Sequence, residues 1–407
     1  MPPLETQDHG SLPTTLGLAR LARVIYHGED HGAIVSSLAS RISAVADDAA
    51  ALMDLSMIVQ LTGEREKGLA IQTLALDVAR VYRCVHGNGT GLRILALCAP
   101  GDFMANTPLD FLLDQSDATA YYAYVMAALP LPDPIPDHDL VFVCAAESDE
   151  NRYLLTRLAD IVATWPRPVI NRDTHRIAEM TRDRMWQIFR SVPEILAPRN
   201  ARVARGELLH VADGTAPLAM LLPDDQFPII VRPIASHAGQ GLVRIGDAHA
   251  LQDYLRGADD AEFYIAPFVD YSSADGRFRK YRIVFIAGRP YLAHLAISSE
   301  WMVHYLNAGM HESAERRAEE ARCMEEFDEN FAVRHSVALG AVARLIGLDY
   351  FAIDCAETRD GRLLLFEAGT GMIVHAMDSG DVFPYKQTQM RKIFRAFGDM
   401  LEKASGR

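Results

Sequence analysis

Cysteine is scarce in this 407-residue chain: Cys84, Cys98, Cys144, Cys323 and Cys355 form an odd and scattered set with no paired spacing. That excludes a disulfide-stapled secreted scaffold and a zinc-finger protein, and leaves reduced, mostly packed thiols as the expectation. Positive charge is also in deficit, with 40 Lys and Arg against 54 Asp and Glu and a net charge of −14. A broad nucleic-acid-binding surface is thereby excluded, although one local basic pocket remains open. No stretch approaches the run of about 20 apolar residues that spans a bilayer, so no membrane partner is expected. Met1–Asp8 has neither the basic nor the apolar region of a signal peptide, and a cytoplasmic location is the expectation. What is present is a 49% hydrophobic, 23% charged chain, typical of globular proteins and long enough for several domains at roughly 100–200 residues each.

The chain changes texture along its length. Residues 1–13 are polar and proline-containing, and read as a loose tail. From about Leu16 to Cys84 the apolar residues recur at three- and four-residue intervals, which predicts an all-helical N-terminal region over 1–86. Two of these helices flank Thr62-Gly63-Glu64, as in a tetratricopeptide-like hairpin. A small bundle used for packing or homodimerisation is the equal alternative, since repeat architectures need about three units. His86–Gly91 reads as a linker. Leu92–Cys98 and Leu140–Ala145 are apolar runs bounded by Pro, Gly and Asp, suited to central parallel strands covered on both faces. A helix over 149–164 and a strand at Pro168-Val169-Ile170 extend this α/β pattern. From about 183 the chain mixes hairpins with one long helix near 312–346, an α+β texture.

Four features in the second half carry chemistry. Phe227–Pro233 is a strand ending in Arg232, followed by Ser236-His237-Ala238-Gly239-Gln240-Gly241. Glycines let backbone N–H groups approach a polyphosphate, and a cation at the strand end neutralises it. Glu262–Asp270 is an extended apolar segment that can hold a purine through its backbone and a ribose through Asp270. Arg279–Ile286 and Arg289–His294 form a hairpin whose first strand opens with a basic cluster, a solvated edge or an anion site. Tyr350–Ala356 and Arg362–Glu367 flank Asp360-Gly361. A two-residue turn there would set Asp354 opposite Glu367. Paired carboxylates repel, and a hard divalent cation such as Mg²⁺ between them removes the repulsion.

In that order the features resemble the ATP-grasp superfamily, specifically the glutathione-synthetase-like and RimK-like carboxylate–amine ligases. The resemblance runs from about residue 92 to the C-terminus. It implies a Rossmann-like preliminary domain over 87–178 followed by a two-lobed ATP-grasp domain over 179–407, with ATP and Mg²⁺ as cofactors. Asn171 and Glu179–Arg184 resemble the family's Asn-then-Asp-Lys entry, with Arg184 for lysine. Arg232 stands for the lysine of the family's Lys-Pro strand end. His237, Gly239 and Gly241 match the loop that closes over phosphates, Ala266 and Phe268 the adenine hinge, and Asp270 the ribose ligand. Arg282 matches the arginine near the γ-phosphate and acyl phosphate. Asp354 and Glu367 match the magnesium carboxylates.

Two departures stand out. Family members carry Glu-x-Asn where this chain has Glu367-Ala368-Gly369, which removes an oxygen ligand and puts a second metal ion in doubt unless His375, Asp378 or water replaces it. Arginine also replaces both phosphate lysines, exchanging a point charge for a planar fork. The resemblance implies ATP-dependent, ADP-forming amide or peptide bond formation through an acyl phosphate. The acid would be a small acid, amino acid or peptide, with Lys280, His304 and Asn307 as candidate substrate contacts. A non-catalytic nucleotide-binding protein that recruits a peptide or protein partner through its N-terminal helices is an alternative, as is a kinase on the same fold.

Overall fold

The computed structural model describes residues 12–223, 226–234 and 239–407; His237 lies outside them. The fold is mixed α/β with three sheets, in two compact units: one runs to Ala178 and includes Thr370–Arg407, and the other is Glu179–Gly369. No helix among the described residues is long and apolar enough to cross a membrane.

The first unit opens with α1 (Leu18–Tyr26), α2 (Gly32–Ala44), α3 (Ala49–Leu61) and α4 (Arg65–Val78). Asp48 starts α3 by accepting from Ala51 N at 3.0 Å, an N-cap that satisfies an orphan donor. The helix then buries Ala51, Leu52, Met53 and Ile58. Helix ends where β-branched and aromatic residues take over: Val81–Val85 is a strand, β1, so the helical reading to Cys84 runs too far. β1 pairs antiparallel with β3 (Thr119–Tyr124), which lies parallel to β2 (Arg93–Cys98). β2 in turn pairs parallel with β4 (Leu140–Val143), and β4 with β5 (Val169–Ile170). Short α5 (Leu109–Leu113) lies between β2 and β3 in the chain, α6 (Arg152–Ala163) joins β4 to β5, and α7 (Thr174–Ala178) follows. The sheet order is β1-β3-β2-β4-β5. β4 is buried at every position, as a strand covered on both faces must be.

Asp54, on buried α3, accepts from Leu16 N at 3.0 and 2.9 Å, tying the preceding segment to the bundle. Burial outweighs these hydrogen bonds and raises its pKa to about 7. An unfolded Asp ionises near pH 4, so between about pH 4 and 7 the folded state holds the extra proton and stability falls as pH rises. Asp54→Asn is therefore expected to flatten the stability profile across that window, measured by urea unfolding at several pH values. An unchanged slope contradicts the assignment.

The second unit begins with α8 (Arg182–Phe189), β6 (Ile195–Leu196), β7 (Ala201–Ala204) and α9 (Arg205–Ala212), then β8 (Ile229–Pro233), β9 (Val243–Ile245), α10 (Ala248–Gly257) and β10 (Glu262–Pro267). β7-β10-β8-β9 make an antiparallel sheet. Leu208 and Val211 of α9 and Leu251 and Leu255 of α10 share a core with its Val231, Phe263 and Ile265. The second sheet, β12-β11-β13-β14-β6, contains the hairpin β11 (Phe278–Ile286) and β12 (Arg289–Ser298). The single helix expected near 312–346 is three: α11 (Ala314–Glu325), α12 (Phe331–Arg334) and α13 (Ser336–Ile346). The first break falls at Asp328-Glu329-Asn330, where Asp and Asn compete with the helix backbone. β13 (Tyr350–Glu357) and β14 (Leu363–Gly369) complete the sheet, after which α14 (Lys386–Ser405) returns to the first unit.

Candidate functional site

The β13–β14 hairpin sets two carboxylates side by side by an unexpected route. Its turn is wider than Asp360-Gly361 alone: Thr358 N bonds to Arg362 O, and the ladder begins at Glu357↔Leu363. That register would leave Asp354 opposite Phe366. A bulge between Asp354 and Cys355 takes up one extra residue, Phe366, and restores Asp354↔Glu367. The expected facing pair is present, produced by a bulge rather than by a two-residue turn.

β11 supplies the cations. Arg282 stands in register with Asp354, its Nε and Nη2 donating to the two carboxylate oxygens at 2.8 and 3.0 Å. Lys280, two residues earlier on the same strand face, places Nζ 2.9 Å from Asp354 Oδ2. The neighbouring positions point elsewhere. Arg277 pairs with Glu315, and Arg279 with Asp275 and Glu319, so these two arginines are spent on structural ion pairs. Asp354 is 1% exposed. Burial pushes its pKa up, but Arg282 and Lys280 overcome this and hold the carboxyl below the usual range.

Glu367 accepts from Arg182 at the start of α8. Arg182 also lies 6.0 Å from the Tyr264 ring centroid, and Tyr264 is the register partner of Arg232. Burial, then the nearby Arg182, lowers the Arg232 pKa to about 10, with Glu367 partly opposing. Four cations, Arg182, Arg232, Lys280 and Arg282, thus surround two carboxylates. The net positive charge in a partly desolvated place suits a polyanion.

Arg184, expected at this position, is elsewhere: its Nη1 donates to Gln187 at 2.8 Å and its side chain is half exposed. Roughly half a helical turn decides the matter, because two residues on α8 separate Arg184 from Arg182, which faces Glu367. Gly239 at φ 76° and Gly241 at φ 67° take the left-handed backbone that favours glycine. A Cβ on Gly241 would meet Pro233 Cδ at 2.7 Å, so no larger residue fits. Ala266 is buried on β10 opposite Ile230. Phe268 lies under Arg244, 4.2 Å from its ring centroid, and edge-on to Trp301 at 5.6 Å. Asp270 is half exposed, accepts from Ser272 N at 2.9 Å, and has Arg359 3.4 Å away.

His304 lies in the field of the cluster: burial, then Lys280 and Arg282, lower its pKa and keep it neutral at pH 7. Asn307 is exposed, and its amide oxygen caps His304 N at 2.9 Å. His294 faces Arg282 in register. Arg182, Arg244, Trp301 and Arg359 are site neighbours that sequence motifs alone do not single out.

Asp354 and Glu367 are hard oxygen donors in facing register, a set that fits one Mg²⁺. Gly369 offers no side chain to a second ion, and Asp378, in the first unit, is buried against Lys386 and Tyr26.

No family model matches the sequence, and no curated protein matches it significantly. Among the solved structures similar to the chain are two at low identity. The VanG D-Ala:D-Ser ligase from Enterococcus faecalis has a TM-score of 0.48 and 14% identity, covering 78% of this chain and 99% of its own. An ATP-grasp RimK domain protein from Sphaerobacter thermophilus has a TM-score of 0.40 and 14% identity, covering 76% and 99%. Likeness of that size assigns no residue a role.

Proposed function

We propose that the chain is an ATP-dependent carboxylate–amine ligase of the ATP-grasp type. The observation that carries this reading is the cluster of Arg182, Arg232, Lys280 and Arg282 around Asp354 and Glu367. In this reading 87–178 is a Rossmann-like preliminary domain, and the ATP-grasp domain expected over 179–407 is confined to Glu179–Gly369, because Thr370–Arg407 belongs to the first unit.

ATP transfers its γ-phosphoryl group to a substrate carboxylate, and an amine then displaces phosphate from the acyl phosphate to give an amide, ADP and phosphate. Arg232 and Arg182 hold phosphate oxygens, with Arg182 taking the part the motif gave to Arg184. Arg282 stabilises charge on the transferred group and on the tetrahedral intermediate. The backbone at Ala266–Phe268 takes the adenine and Asp270 the ribose. Mg²⁺ held by Asp354 and Glu367, when bound, supplies charge neutralisation to the phosphates. Lys280 and neutral His304 face the acceptor, where the imidazole can take the proton of the attacking amine. Excluding water protects the acyl phosphate from hydrolysis.

Purified protein with Mg-ATP and pools of amino acids and short peptides is expected to release ADP only with the correct pool, and Glu367→Gln to lose that release. Mass spectrometry of the active pool then distinguishes an amide from a stable phosphorylated product, which would indicate a kinase. Mg-ATP binding without turnover in any pool favours the nucleotide-binding alternative.

A further inference from the structure

The first unit contains a second cluster of ligand-type side chains. Cys84 and His86 are two residues apart at the end of β1, so strand alternation puts both on one face. Asp110 of α5 meets them there. All three are buried, and one potential ligand atom from each lies within 4.8 Å of the others. His86 Nε2 lies 3.2 Å from Asp110 Oδ1, an ion-pair contact that falls short of good hydrogen-bond geometry.

The carboxylate is oriented from behind. Leu18 N donates to Asp110 Oδ2 at 2.5 Å, and the Tyr122 hydroxyl donates to Oδ1. Such bonds are what fix a metal-ligating carboxylate. Above the cluster runs Gly17, at φ 87°. A Cβ there would lie 2.6 Å from Cys84 Sγ and 2.9 Å from Asp110 Oδ2, so only glycine closes over it. Asp110 and Tyr122, with Thr15 and Leu18, also line a cavity of about 70 Å³. That is room for water beside the cluster.

We propose that Cys84 Sγ, His86 Nε2 and an Asp110 oxygen bind one zinc ion, with a cavity water as fourth ligand. Sulfur, nitrogen and oxygen donors in a set of three suit Zn²⁺ better than Mg²⁺ or Ca²⁺. A thiolate and a carboxylate neutralise the ion, so the buried centre carries no net charge. Binding displaces the thiol proton of Cys84, since the thiolate is the ligand. The ion ties the end of β1 to α5, and the site does not depend on the ligase reading.

Cobalt(II) titration of the full-length protein, stripped of metal with a chelator, tests the site. The expected result is saturation at one equivalent with a near-ultraviolet thiolate-to-cobalt band that zinc abolishes by displacement. Cys84→Ala should lose the band and Cys323→Ala should keep it. If Cys84→Ala does not fold, His86→Gln should still weaken cobalt binding at least tenfold. Absence of a thiolate band from the unmutated protein at one equivalent, or a band that survives Cys84→Ala, overturns the proposal.

Discussion

Asp354→Asn is expected to lower the stability of the ligand-free protein by about 3 kcal/mol, read as a fall in the urea midpoint at unchanged slope. The carboxylate is 1% exposed, and its partners Arg282 and Lys280 are 18% and 15% exposed. Asparagine keeps one acceptor but removes the negative charge, so two poorly hydrated cations face each other with Arg182 and Arg232 nearby. Breaking one side of a buried ion pair costs more than the pair ever contributed, because the remaining charge keeps its desolvation penalty. The effect has a defined pH window. Asp354 is ionised in the fold well below the usual carboxylate range. Its contribution is therefore complete above about pH 4, where the unfolded group ionises, and is lost as pH falls further. Adding Lys280→Met should recover part of the loss, since one of the stranded cations is then gone. Turnover of any substrate found should vanish in both variants. A stability change under about 0.5 kcal/mol, the scatter of ordinary surface substitutions, would show that the cluster is not electrostatically tight.

Local patterns made much of the site legible in the sequence. Strand alternation and the facing of Asp354 and Glu367 could be read from spacing, because a hairpin ties neighbours in sequence to neighbours in space. The reason was only half legible: no residue type announces the bulge at Phe366 that sets the final register. Contacts over long separations were hidden. Arg182 is 185 positions from Glu367, and a motif written as a lysine two residues later pointed to Arg184, which the helix turns outward. The basic run at 277–282 looked uniform as text. Strand alternation and the acidic face of α11 divide it, sending Arg277 and Arg279 to Glu315 and Glu319 while Lys280 and Arg282 turn to Asp354. β1 was read as helix because the residues before it are helical, although its own Val, Tyr and Val favour a strand. Its antiparallel pairing with β3 completes the argument, and that pairing lies far along the chain.

Arg232→Met should do the reverse of Asp354→Asn: stabilise the ligand-free protein while removing its response to nucleotide. Burial, with Arg182 next to it, brings the Arg232 pKa from 12.5 down to about 10. At roughly 1.4 kcal/mol per pH unit this corresponds to an upper bound of about 3 kcal/mol against folding. The sign follows from linkage. A cation whose folded pKa is lowered destabilises the fold at every pH where it stays charged, and relief comes only as pH rises through that pKa. At neutral pH the penalty is present in full. Methionine keeps much of the stem's packing without the charge, so the urea midpoint should rise. Strained and like-charged groups of this kind are a recurring cost of binding sites, and removing them trades function for stability. The functional half is read by thermal unfolding with Mg-ATP. The unmutated protein should gain stability with nucleotide concentration as mass action requires, and the variant should gain none. If Arg232→Met is less stable than the unmutated protein, Arg232 is a structural residue. If it keeps the nucleotide response, the phosphates lie against Arg182, Lys280 and Arg282 without it.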